Sequence, residues 1–307
     1  MDGLSERPIL DVTAWCQQTL KAPIGCVGVG LHQGHRASLT FRPAPVDHGI
    51  VFRRTDIGVD IPARFDRVVD TRLATVLADS DARIATIEHV MAALAGCGID
   101  NAVVEIDGPE PPILDGSASP YVFLLDCAGV VAQSAPRATI EVLRPVRVSD
   151  GDAFAELRPP VPGMAGLEMA LSIDFPAVAI GRQALSLRLT PETFRHELAS
   201  ARTFALAQEI DQLRAAGLAR GGSLENAVVV DQARVLNTAG LRMPDEFVRH
   251  KLLDAVGDLA LAGAPLHGRF VAHRSGHTLN HRLLQALFAD HSAWREITPV
   301  QLSVAAE

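Results

Sequence analysis

Between residues 23 and 62 apolar and polar residues alternate with a period of two, interrupted by glycine and proline, as in GCVGVGLHQG and ASLTFRPAP. That period puts successive side chains on opposite faces of a sheet, so short half-buried strands joined by turns are predicted. VFRRTDIGVDIPARFDRVVDTRLATVLA continues as several more short strands. The period then lengthens. In ARIATIEHVMAALAGCGIDNAVVEIDG the apolar positions fit a helix over 87–95, with Thr86 as its cap and Gly96 and Gly98 as its stop. A strand over 101–106 follows. PEPPILDGSASPYVFLL is a turn-rich run into an apolar helix, and 134–137 reads as a linker.

After that linker the pattern restarts. TIEVLRPVRVSDGDAFAELRPPVPG and LEMALSIDFP read as strands, a helix spans 250–261, and HGRFVAH is a strand again. Each half therefore gives strands, a helix opening near a histidine, then a strand, a weak internal duplication of a β-rich unit. Between them, SARTFALAQEIDQLRAAGLARGGSLENAVVVD predicts a strand–helix–strand insert whose apolar side carries Ile210, Leu213 and Ala216. The predicted fold class is α+β. Residues 1–19 form a leader, 20–134 a first domain, 137–296 a second with its insert at about 205–231, and 297–307 a tail.

The helix over 250–261 departs from a simple amphipathic pattern. Leu252, Leu253, Val256 and Leu259 supply packing, and Gly257 is its single glycine. His250 and Asp254, four apart, leave one face a turn apart, and Asp258 follows after four more. Lys251 points about a quarter-turn away. An imidazole and two carboxylates on one stripe suit a metal or acid–base site; a solvated polar face fits the same residues. In the first half, Glu88 and His89 sit in the first turn of their helix, where an acid also complements the helix dipole.

Composition narrows the classes. With 307 residues, 48% apolar and 21% charged, the chain holds one large or two ordinary globular domains. No apolar run approaches the roughly 20 residues of a membrane span, and the N-terminus lacks a signal-peptide pattern. A cytoplasmic protein with no stable membrane insertion is expected. The four cysteines form no C-x-x-C pair, which argues against a disulfide framework or a thiolate zinc site. A net charge of −8 disfavours nucleic acid as a partner, yet leaves room for a small anionic substrate.

Two packed halves would bring His89 towards His250 and Asp254, a two-histidine, one-carboxylate set suited to one catalytic Zn²⁺, or Fe²⁺. Such an ion brings the pKa of a bound water to about 7. Glu88, beside His89, is then placed as general base. His277, in SGHTLNH, becomes an imidazolium held by Asp258, and Thr203 offers a hydroxyl to an oxyanion. These parts together describe metal-assisted hydrolysis of an amide or ester. For His273, His281 and His291 a structural role is the expectation.

TIEHVMAALAGCGIDN, PILDGSASPYVFLL, SARTF, GGSLENAVVVD, RMPDEFVRHKLLDAVGDLAL and SGHTLNH, in this order, resemble the UDP-3-O-acyl-N-acetylglucosamine deacetylases, over about residues 20 to 295. The resemblance implies two similar two-layer α/β sandwiches with helices packed between the sheets, and a βαβ insert forming an acyl passage. It implies His89, His250 and Asp254 as zinc ligands, Glu88 as base, and His277, supported by Asp258, as acid or electrostatic partner. Thr203 would polarise the amide carbonyl, Lys251 and Phe204 would line the substrate site, and His32 would lie near the sugar–phosphate end. The implied activity removes the N-acetyl group of UDP-3-O-(3-hydroxyacyl)-N-acetylglucosamine, the committed step of lipid A biosynthesis, by a monomer. Two other readings are a zinc hydrolase of another N-acyl nucleotide sugar and a non-catalytic nucleotide-sugar binding protein.

Overall fold

The computed structural model describes residues 15–298, so residues 1–14 of the leader expected over 1–19 and residues 299–307 of the tail expected over 297–307 lie outside the described residues. Six helices are numbered in chain order: α1 Glu88–Gly96, α2 Ser119–Ala128, α3 Pro191–Thr193, α4 Ala207–Ala215, α5 Glu246–Leu259 and α6 His277–Ala289. The architecture is α+β, as the period change along the chain predicts.

In the first half, five strands run in the order Ile24–Val29, Arg36–Pro43, Ala102–Ile106, Ile50–Arg54 and Val59–Pro62. The alternation read in ASLTFRPAP is real, since Ala37, Leu39 and Phe41 point inward and are buried. Neighbours are antiparallel except for Ile50–Arg54 and Ala102–Ile106, which run parallel. A parallel pair needs a crossover, and α1 lies in it.

The second half repeats the arrangement on a larger sheet. Leu167–Asp174 runs parallel to Leu266–His273, and α5 lies in the crossover between them. Leu167, Met169, Leu171 and Ile173 alternate inward. The two crossover helices pack against each other, so each sheet's helical layer meets the other's. A Cβ built at Gly257 of α5 would run into the Glu88 carbonyl oxygen of α1, and only glycine permits that approach. Every residue of α1 except Ala95 is buried, as befits a helix enclosed on all sides.

The insert is a βαβ unit. Phe204–Leu206 and Val228–Asp231 pair in parallel with α4 as the crossover, and Arg234–Val235 adds a third strand. No residue of α4 is fully buried.

Three local expectations change. Thr86 does not cap α1: its φ of 58° is left-handed, whereas a cap residue needs extended backbone, and its hydroxyl donates to Glu110 Oε1 instead. The linker expected at 134–137 belongs to a strand, Val130–Pro136, paired with Cys16–Leu20, which takes in the end of the expected leader. That ribbon is mostly exposed on its Val130–Pro136 strand, so no inward-facing apolar series marks it in the sequence. Helix α5 starts at Glu246, a turn earlier than the apolar stripe suggests. Among the described residues no helix is long and apolar enough to cross a membrane.

Candidate functional site

The α1–α5 crossing brings buried polar side chains of both halves together. His89 leaves the first turn of α1, and His250 and Asp254 leave α5 one turn apart; one donor atom from each lies within 4.8 Å of the other two. Asp254 Oδ1 sits 3.3 Å from His250 Nε2 and 3.7 Å from His89 Nε2. That oxygen is buried without a hydrogen-bond partner, while Oδ2 accepts from Lys251 Nζ at 2.9 Å.

Burial lowers the pKa of both imidazoles, His89 to about 3 with the neighbouring His250 adding to the effect, so both rings are neutral at pH 7. Burial works to raise Asp254, but His250 and Lys251 beside it hold its carboxyl far below the usual range. His250 Nδ1 donates to the Ala201 carbonyl at 3.0 Å, which fixes the tautomer and leaves Nε2 free. Two neutral imidazoles and a carboxylate whose orphaned Oδ1 points between them fit a divalent metal ion, and His89, His250 and Asp254 are placed to hold it.

Next to this group stands a second one. Glu88 is buried, and burial pushes its carboxyl up to about 7. Thr75 N–H donates to its Oε2 at 3.1 Å. His277 Nε2 lies 3.9 Å from Glu88 Oε1, and His277 Nδ1 donates to Asp258 Oδ2 at 2.9 Å. Burial alone would lower the His277 pKa; the Asp258 carboxylate overrides it and the imidazole rises to about 9. Asp258 is saturated, accepting also from Thr75 Oγ1 at 2.6 Å and Asn280 Nδ2 at 2.9 Å. Below pH 9 this pair holds a proton ready on His277.

Both groups open onto a cavity of about 720 Å³, lined by the insert and by the first half. Thr203, Phe204, Lys251 and His32 line it, as do Glu88, His89, His250, Asp254 and His277. Asp258 lies behind His277, not at the surface of the cavity. Ile210, Leu213, Leu224 and Val229 of the insert give one wall an apolar character. Phe204 stacks edge-on to Phe175 and Phe247, at 5.5 and 5.1 Å between ring centroids, and so is held in the wall. Both ring nitrogens of His32 are buried without a partner. A second cavity of about 560 Å³ lies at the other end of the helices and contains none of these groups.

Some of the site was invisible in the sequence pattern. Thr75 touches both Glu88 and Asp258 from a loop with no motif of its own. Arg202 and Glu246 form a buried ion pair, Nε to Oε1 2.8 Å, which fastens the Thr203 segment to the start of α5. The SARTF spacing held a hint, because a buried arginine next to Thr203 needs a carboxylate within reach. Asn280 was within reach of the pattern too, one turn after His277.

Residues 17–289 match the family model described as UDP-3-O-acyl N-acetylglycosamine deacetylase (LpxC). Curated relatives named UDP-3-O-acyl-N-acetylglucosamine deacetylase align over nearly the whole chain. The protein of Anaeromyxobacter dehalogenans is 49% identical over 93% of this chain and 92% of its own length. That of Idiomarina loihiensis is 49% identical over 92% of each. That of Acidithiobacillus ferrooxidans is 49% identical over 91% of each. By sequence, the chain belongs to the UDP-3-O-acyl-N-acetylglucosamine deacetylase family.

Proposed function

We propose that the protein is a zinc-dependent deacetylase of UDP-3-O-(3-hydroxyacyl)-N-acetylglucosamine, releasing acetate and the free amine in the lipid A pathway. The observation carrying this reading is one cavity that holds the His89–His250–Asp254 group, the Glu88–His277 pair and the apolar insert wall together. Two imidazoles and one carboxylate favour Zn²⁺ or Fe²⁺ over harder ions, which take all-oxygen sets. Zinc, when bound there, supplies Lewis acidity, bringing the pKa of water to about 7 and polarising a carbonyl.

The chain's own residues do the rest. Glu88, lifted to about 7 by burial, takes a proton from the attacking water. His277, protonated below about 9 and anchored by Asp258, presents Nε2 towards the reacting centre. It donates to the oxyanion of the tetrahedral intermediate and then protonates the leaving amine, and Thr203 gives a second hydrogen bond to that oxyanion. Glu88 Oε1 lies 3.9 Å from His277 Nε2, so once the amine has left, the proton that Glu88 took from water can pass to His277 and restore both groups. Lys251 holds Asp254 in its ionised form, and with Phe204 it shapes the wall beside the acetyl group. The insert wall receives the acyl chain, Arg274, also in the lining, offers positive charge to the diphosphate, and His32 lies in the same lining on the sugar side.

The test is direct. Purified protein loaded with one equivalent of zinc should release acetate from the acylated UDP-sugar and lose that activity with a chelator. A zinc-loaded protein releasing no acetate contradicts the reading. Equal turnover of UDP-N-acetylglucosamine lacking the acyl chain would remove the acyl role from the insert.

A further inference from the structure

Glu110 is a buried carboxylate that belongs neither to the His89–His250–Asp254 group nor to the Glu88–His277 pair. It is 3% exposed and forms no ion pair among the described residues; instead it accepts three hydrogen bonds from neutral groups. Its Oε1 takes the His32 N–H at 2.8 Å and the Thr86 hydroxyl at 2.9 Å, and its Oε2 takes the Gln33 N–H at 3.0 Å. A buried charge without a counter-ion is expensive unless fixed donors surround it. The donors here come from two places that matter: the loop carrying His32, and the strained residue two positions before Glu88.

The loop's other side is occupied as well. Its carbonyls at Leu31 and His32 accept from Gly221 N–H at 3.0 Å and Arg220 N–H at 3.1 Å, both in the insert. The loop's N–H groups face Glu110 and its C=O groups face the insert, so this carboxylate sits at the junction of two cavity walls. Sterics agree. A Cβ built at Gly30 would fall 2.5 Å from Glu110 Oε2, and one at Gly221 would run into the Gly30 carbonyl. Thr86, a β-branched residue at φ 58°, is held in that conformation by its bond to the same carboxylate.

We propose that Glu110 is a positioning residue that clamps the His32 loop between the first half and the insert, and thereby fixes the wall that binds the substrate. It touches neither substrate nor metal ligands; it acts through His32 and the loop's backbone. The inference rests on the deacetylase reading for its kinetic consequence, but its structural content stands apart from that reading.

Glu110→Gln keeps the side chain's shape while replacing one acceptor by a donor, so at least one of the three bonds is lost whichever way the amide turns. Gly30→Ala displaces the carboxylate from the other side. In zinc-loaded protein both variants are expected to raise KM for the acylated UDP-sugar about tenfold, with kcat within about twofold and one metal retained. In a His32→Ala background, Glu110→Gln should add less than about twofold, because its hydrogen bonds to the loop backbone act on the substrate by holding the His32 imidazole in place. A fall in kcat at constant KM, loss of metal, or full additivity with His32→Ala overturns the proposal. Amide hydrogen exchange without substrate separates this failure from that of the deacetylase reading. In Glu110→Gln the amides of His32, Gln33, Arg220 and Gly221 should exchange about tenfold faster, with those of Val90 to Leu94 unchanged. Unaltered exchange at the loop contradicts the clamp, whether or not the wild type deacetylates anything.

Discussion

The parallel-strand crossovers of the two large sheets are alike in build, but their helices carry different loads. Helix α1 has nine residues and contributes Glu88 and His89 from its first turn, with apolar side chains everywhere else. Helix α5 has fourteen and carries His250, Lys251, Asp254 and Asp258 along its buried length. Neither helix holds a complete set. The α5 stripe alone supplies two donors for a metal, and α1 alone supplies one with an adjacent acid. The difference teaches that this chemistry belongs to the crossing of the helices, so it should fail when either side is removed or when they are pushed apart.

The largest effect should come from removing the single donor that α1 supplies. His89→Ala leaves only the α5 pair, and metal affinity should fall by more than about 100-fold, since even residues that merely orient a ligand cost about 10–100-fold. Metal analysis after dialysis against a graded chelator reads this; a variant that keeps its metal would show α5 to be sufficient.

Asp258→Asn tests the other end of the α5 stripe. In the wild type, activity should rise through about pH 7 as Glu88 loses its proton and fall through about 9 as His277 loses its own. The Asp258 carboxylate is what raises His277, so neutralising it should move the alkaline limb down by about 1–3 pH units. Turnover at pH 8 should drop about 10–100-fold with metal unchanged. An alkaline limb that stays in place would mean that another group sets it.

Gly257→Ala probes the crossing itself. Alanine favours a helix by about 1 kcal/mol over glycine. Its Cβ nonetheless meets the Glu88 carbonyl, which belongs to a buried backbone and cannot step aside, so a net loss of about 1–3 kcal/mol is expected. Thermal or denaturant unfolding measures it, and a stabilised variant would contradict the close approach. The smallest change should come from Leu213→Ala in the insert. Half of a buried leucine's transfer energy is about 1 kcal/mol, so KM should rise by about tenfold or less, and only for substrates with a long acyl chain.

Much of this was legible along the chain because alternation and helical spacing report one-sided burial. Leu39 and Phe41 declare their strand, and the four-residue spacing of His250, Asp254 and Asp258 declares a polar stripe on a buried helix. The parts that escaped are those where packing, not periodicity, decides. The ribbon of Val130–Pro136 with Cys16–Leu20 is largely exposed on one strand and leaves no apolar rhythm. Thr86 looked like a cap because its residue type suits one; in the fold it takes a left-handed φ and its hydroxyl bonds Glu110 instead. Thr75 and Glu110 reach the site through the fold from about 13 and 22 positions away from Glu88, and no local pattern encodes such contacts.

The central claim is a division of labour at the crossing: α1 contributes a base in Glu88 and a metal ligand in the very next residue. Glu88→Ala, measured for bound zinc and for acetate release in the same preparation, tests it most directly. We expect turnover to fall by at least about 100-fold, within the 10²–10⁴ range of a general base, with one zinc retained per chain. Loss of the zinc from Glu88→Ala, or near-normal turnover with the zinc in place, would contradict that division.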